Sequence, residues 1–171
     1  RLYEVFAAYP SGGGWDAGSG AVWDLRSNAL RPDGWTSADA AGLPILPALV
    51  RYDEVAAGHV DHALRLTVPR TQRAYVWPAR HFASSSTDPN LPPMGTWVRL
   101  RSDVDIRGFP PQSRVILEAL KLHGAIVADN GSSWYLTGAP DERWDNDDLH
   151  RLGDINGSMF EVVDASSLMV S

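Results

Sequence analysis

An α+β fold rich in β-strand is predicted by three observations on the 171-residue sequence. Short runs that alternate apolar and polar residues recur along the chain, bounded by Gly, Pro, Asn or Asp, and a period of two belongs to half-buried strands. Residues 110–123 carry instead one clear helical stripe. From Gly124 to Gly138 an apolar run, the dipeptide Asn130-Gly131 and a returning run describe a hairpin fed by that helix. The expectation is a single domain over residues 1–171. It holds an antiparallel or mixed sheet, or a small barrel, with one main helix (110–123) and shorter helices near 36–42 and 47–57.

Taken in order, residues 2–9 read as a strand, followed by the flexible loop Pro10 to Gly14 and a second strand around Ala21-Val22-Trp23. Pro32-Asp33-Gly34 centres a turn. Thr36 is placed to cap a short helix that Pro44 stops. Pro47 to Ala57 has Pro in its first turn and Gly58 at its end, the expected asymmetry of a helix. From His59 to Val68 the alternation puts His62, Leu64 and Leu66 on one face and Asp61, Arg65 and Thr67 on the other. Tyr75-Val76-Trp77 and Trp97 to Leu100 are further strands, and Phe160 to Val163 closes the chain. In the helix, Ile116, Ala119, Leu120 and His123 form the apolar stripe, with Arg114, Glu118 and Lys121 on the solvated side.

A two-residue turn at Asn130-Gly131 sets a register. It pairs Asp129 with Ser132 and Val127 with Trp134, placing a carboxylate, a hydroxyl and an indole on one face at the mouth of the hairpin. This face is the leading site candidate.

Composition narrows the function classes. A net charge of -6 and the lack of a basic stripe argue against a nucleic-acid surface, which needs clustered Lys and Arg. No run approaches the roughly 20 apolar residues of a membrane span. With no Cys, disulfides, thiolate metal sites and thiol catalysis are excluded together. Seven Trp are many for this length, and flat indole faces serve either packing or stacking on sugar rings.

Four segments carry a resemblance: Gly34 to Pro44 (GWTSADAAGLP), Tyr75 to Ser84 (YVWPARHFAS), Val127 to Tyr135 (VADNGSSWY) and Gly138 to Asp148 (GAPDERWDNDD). The chain resembles, over nearly its whole length, a group of uncharacterised exported bacterial proteins, mainly from soil-type organisms. The resemblance implies that the chain is the C-terminal part of a longer exported precursor, in keeping with its start at Arg1. It implies an extracellular location and supplies no catalytic residues.

The constellations can be weighed against plainer roles. Asp129 beside Trp134 and Ser132 suits an acid held near an aromatic platform, as glycoside hydrolysis requires, while the plain role is support of the Asn-Gly turn. His81, at a strand end, is a candidate base if Asp129 or Asp39 orients it, and otherwise a residue with one structural hydrogen bond. His59 and His62 face opposite ways on a strand, so no shared metal is expected. Asp145, Asp147 and Asp148 lack the Gly and Glu of a calcium loop and read as a solvated loop or helix cap. Neither Gly18-Ser19-Gly20 nor Gly12-Gly13-Gly14 fits a nucleophile elbow or a phosphate loop, and no cofactor is implied.

The resulting expectation is an extracellular protein that binds or hydrolyses a polysaccharide. Asp129, His81 and Asp39 would be its catalytic groups, and Trp134, Trp77, Trp144, Ser132 and Asn130 its ligand contacts. The alternative is a non-catalytic extracellular module for adhesion, assembly or structure. Leu2 to Tyr9 is too apolar for a free tail and should be strand-paired. If native residues precede Arg1, an N-terminal fragment of the same precursor is an expected partner, covering an edge or apolar patch.

Overall fold

The computed structural model describes residues 1–169. Its body is a five-stranded mixed sheet in the order β8-β5-β7-β6-β9, and among the described residues it does not close into a barrel. These strands are β5 (Leu64–Val68), β6 (Trp97–Leu100), β7 (Ala125–Asn130), β8 (Tyr135–Leu136) and β9 (Phe160–Val162). β5 and β7 run parallel, and every other pairing is antiparallel. A parallel pair needs a long crossover, which here contains β6 and the main helix α2 (Pro111–Leu122).

α2 forms where the apolar stripe predicted it, with Ile116, Leu117, Ala119 and Leu120 buried in one core with Leu64, Leu66, Val98 and Val127. Its first turn leaves backbone N–H groups without helical partners. Asp148 supplies the acceptors: its carboxylate takes the N–H of Gln112 at 2.8 Å and of Ser113 at 2.7 Å, and its carbonyl takes the Ser113 hydroxyl at 2.7 Å. Asp148 belongs to α3 (Asn146–His150), whose own N-terminus is capped by Asp145. The acidic run is therefore capping chemistry. At the other end of α2, Gly124 takes φ +71°, and a Cβ there would lie 2.3 Å from the Val98 carbonyl, so only Gly lets the helix pass into β7.

The hairpin expected at Asn130-Gly131 is not formed. β8 pairs with β5, through Leu66–Leu136 and Thr67–Tyr135, while β7 lies between β5 and β6. An apolar strand fed by a crossover helix is most stable in the middle of a sheet, and that burial outweighs the local turn preference. The expected shared face of Val127 and Asp129 is also lost. In the β5–β7 ladder Leu66 faces Val127 and Thr67 faces Asp129, so Ala128 is an extra residue. This bulge turns Asp129 to the Arg65 and Thr67 face, away from Val127.

Three other segments differ from expectation. Residues 36–42 make a turn rather than a helix, because the Ser37 hydroxyl accepts the Asp39 N–H at 2.9 Å and donates to the Leu43 carbonyl at 2.7 Å. Residues 47–57 split into a 3-10 turn, Leu46–Ala48, and α1 (Tyr52–Ala57), since Leu49 is extended and Val50 bridges to Gly138. Tyr75 to Trp77 makes a single bridge, Tyr75 to Met94, instead of a strand.

The N-terminal strands form separate two-stranded ribbons: β1 (Leu2–Phe6) with β4 (Ser19–Trp23), and β2 (Tyr9–Ser11) with β3 (Gly14–Asp16). The apolar opening is thus strand-paired, though outside the main sheet. Ala21 and Trp23 are buried, whereas Tyr3, Val5 and Val22 are exposed. The Glu4 carboxylate docks the ribbon by accepting the N–H of Ile45 (3.0 Å), the N–H of Leu46 (2.9 Å) and the indole N–H of Trp23 (3.1 Å). Among the described residues no helix is long and apolar enough to cross a membrane.

Candidate functional site

Two of the three proposed catalytic residues meet, and the residue that joins them is Arg65 on β5. Its Nη2 donates to Asp39 Oδ1 and, at 3.1 Å, to Asp129 Oδ2; its Nη1 donates to the Thr137 hydroxyl at 2.8 Å. Asp39 is brought in by the 37–42 turn, which docks on the bulge of β7 through the Ala41 N–H to the Ala128 carbonyl, 2.9 Å. Asp129 arrives by the bulge itself.

The junction is buried at one end. Asp39 is 1% exposed and Arg65 7%, while the Asp129 side chain reaches solvent at 38%. Burial pushes the Asp39 carboxyl up to about 6, against the opposing pull of the Arg65 guanidinium. Burial also works against the Arg65 charge, but its bonds to Asp39 and Asp129 outweigh this and raise its pKa. Among the described residues Asp39 Oδ2 and Arg65 Nε are buried without hydrogen-bond partners. Asp129 Oδ1 accepts the Asn130 N–H at 2.8 Å, so both its oxygens are acceptors. Such an arrangement holds the turn, β5 and β7 together.

His81 does not join the carboxylates. Its Nδ1 donates to the Ala40 carbonyl at 2.9 Å, and its ring stacks on Phe82 at 5.8 Å between centroids. The two proposed partners of His81 are thus replaced by one backbone oxygen adjoining Asp39.

The indoles separate into different settings. Trp144 is held by its N–H to the Ala139 carbonyl, 2.9 Å, and packs edge-on against Tyr52. Trp77 stacks on Trp97 at 6.4 Å and lines a cavity of about 590 Å³. Trp134, at φ +57°, packs on Phe160 at 4.9 Å and lines a second cavity of about 250 Å³. Pro92, Thr96 and Val162 line both cavities. The two cavities therefore adjoin, with Trp77 and Trp97 at the first and Trp134 and Phe160 at the second.

Ser132 and Asn130 are engaged elsewhere: the Ser132 carbonyl accepts the Thr67 hydroxyl at 3.1 Å, and Asn130 Oδ1 accepts the Thr71 hydroxyl at 3.2 Å. Sequence reasoning missed Arg65, Trp97 and Phe160. The one signal for Arg65 was a charge set between Leu64 and Leu66 in a strand whose neighbours supply two Asp. Among the described residues no group of three His, Asp or Glu side chains can hold a metal ion. No protein-family model matches this chain, and no curated protein or solved structure is significantly similar to it.

Proposed function

We propose that the protein is an extracellular module that binds a polysaccharide segment at the adjoining cavities of Trp77 and Trp134, without cleaving it. The observation that carries this reading is the adjacency of the two cavities, which share Pro92, Thr96 and Val162 and each hold large aromatic rings. A chain of sugar rings presents repeated flat apolar faces, and indoles in adjoining cavities suit that repeat. Asn90, Asp164 and Ser166 in the first cavity and Glu161 in the second offer polar partners for hydroxyl groups. A hydrolytic reading has less support, because Asp129 and Asp39 are committed to Arg65 and line neither cavity.

The test is a pull-down on insoluble polysaccharides, with reducing sugar assayed in the supernatant. Binding without product is expected. Trp77→Ala and Trp134→Ala should each weaken binding about tenfold or more, the usual loss for a central aromatic anchor. Reducing sugar that disappears in Asp129→Asn at unchanged melting temperature would restore the hydrolase. The other reading, a non-catalytic adhesion or assembly module, is favoured by one observation. Tyr3, Val5 and Val22 make an exposed apolar face on the first ribbon, and Tyr9 and Trp15 are exposed on the second. Retention on no polymer, with self-association that Tyr3→Ser abolishes, would select it.

A further inference from the structure

The chain contains two Asn-Gly dipeptides, and the fold treats them in opposite ways. At Asn130-Gly131 the Gly131 N–H donates to the Val68 carbonyl at 3.0 Å, and Asn130 is held in β7. At Asn156-Gly157 both residues are exposed and begin the 3-10 turn Gly157–Met159. Among the described residues the Gly157 N–H and the Asn156 side-chain NH₂ find no acceptor. Meanwhile Asn156 Oδ1 accepts two hydrogen bonds from Ser158, from its N–H at 3.1 Å and its hydroxyl at 2.6 Å.

We propose that Asn156-Gly157-Ser158 is a self-modifying site, at which Asn156 loses ammonia to the backbone and becomes aspartate or isoaspartate. The Gly157 nitrogen gives its proton to solvent base and attacks Asn156 Cγ. Charge then develops on Oδ1, where the two Ser158 donors already point, as in an oxyanion hole. The Cγ–Nδ2 bond breaks, and ammonia leaves with a proton from water. The resulting five-membered imide takes up one water: opening at Cγ gives aspartate, and opening at the main-chain carbonyl gives isoaspartate. No oxidant or cofactor enters. Gly157 suits the nucleophile because it carries no Cβ beside its nitrogen.

The product alters the cavity that Gly157 and Trp134 line. A Cβ at Gly157 would lie 3.0 Å from Trp134 Cζ2, so the Gly157 backbone rests against that indole. Aspartate keeps the cap, since Asp and Asn cap equally well, but adds a negative charge. Isoaspartate lengthens the main chain by one carbon and moves Gly157 relative to Trp134.

The test is peptide mapping by mass spectrometry, with isoaspartate resolved, during incubation of the folded protein in warm, mildly alkaline buffer. Asn156 should convert about tenfold or more faster than Asn130, which must first open locally to react. In denaturant the two rates should approach each other. Ser158→Ala should slow Asn156 several-fold in the folded protein and leave Asn130 unchanged. Equal rates at the two sites in the folded protein, no effect of Ser158→Ala, or chain cleavage after Asn156 without acid product would each overturn the proposal.

Discussion

In the five-stranded sheet Leu64, Leu66, Ala125 and Val127 are buried, whereas in the ribbon of β1 and β4 Tyr3 stands 69% and Val5 60% exposed. Both regions consist of apolar strands. The sheet has α2 laid against it and the ribbon presents one face to solvent, so only the sheet gains the full transfer energy of its side chains. The ribbon is held instead by Ala21 and Trp23 on its inner face and by the Glu4 carboxylate. Local stability should differ accordingly, and ribbon amides should exchange well before those of β5 and β7.

The largest effect should come from breaking the body. Arg65→Ala leaves Asp39 buried without a counter-charge, and the expected loss is about 3–5 kcal/mol, read from denaturant unfolding. Exchange should then rise throughout the sheet. A loss under about 1 kcal/mol would mean that the junction is not what joins the 37–42 turn to β7.

Next comes pH. Asp39 has a carboxyl pushed up to about 6 in the folded protein, against an ordinary value of 3.8. The native state therefore binds this proton more tightly than the unfolded one. Its contribution is fully present below 3.8 and is lost as pH rises through about 6, a change of at most about 3 kcal/mol. Melting temperatures of the wild type and Asp39→Asn should diverge across that window, the wild type losing stability relative to the variant as pH rises. Parallel curves would remove Asp39 as the titrating group.

Glu4→Ala acts on the ribbon. It removes an acceptor shared by three donors, and hydrogen bonds to charged groups are worth about 1.5–3 kcal/mol each where buried, less at this partly exposed place. The expected result is faster exchange in 2–6 and 19–23 with β5 and β7 unchanged. Uniform acceleration in both regions would show that ribbon and body unfold as one.

The smallest effect sharpens the same contrast. Val5→Thr on the outward face should change stability by no more than about 0.5 kcal/mol, as for most surface positions. Any change in sedimentation would identify that face as a contact surface.

Local pattern carried much of this fold. The stripe of 110–123 and the alternation of 97–100 became the elements expected, as did the second half of the run 59–68, as 64–68, and the closing run 160–163, as 160–162; residues 59–63 lie outside the strand. Pairing was less legible. Asn130-Gly131 proposes a turn by its own conformational preference, but which strand lies beside β7 depends on where α2 returns the chain. No local signal encodes that. Nor does a local signal encode the bulge: one extra residue, Ala128, turns Asp129 and Asn130 to the opposite faces from those expected, while Trp134 left that face because the hairpin is not formed.

The sequence by itself determined the class, the main helix and several of the strands, and it singled out Asp129 and Asp39 as candidates. Only the tertiary structure decided that they meet on Arg65, that His81 binds a backbone carbonyl instead, and that Trp77 and Trp134 line adjoining cavities. The physical reason is separation along the chain. Helix and strand periods are set within a few residues, whereas Asp39, Arg65 and Asp129 come together only after the turn, the central strands and the crossover have each taken their places.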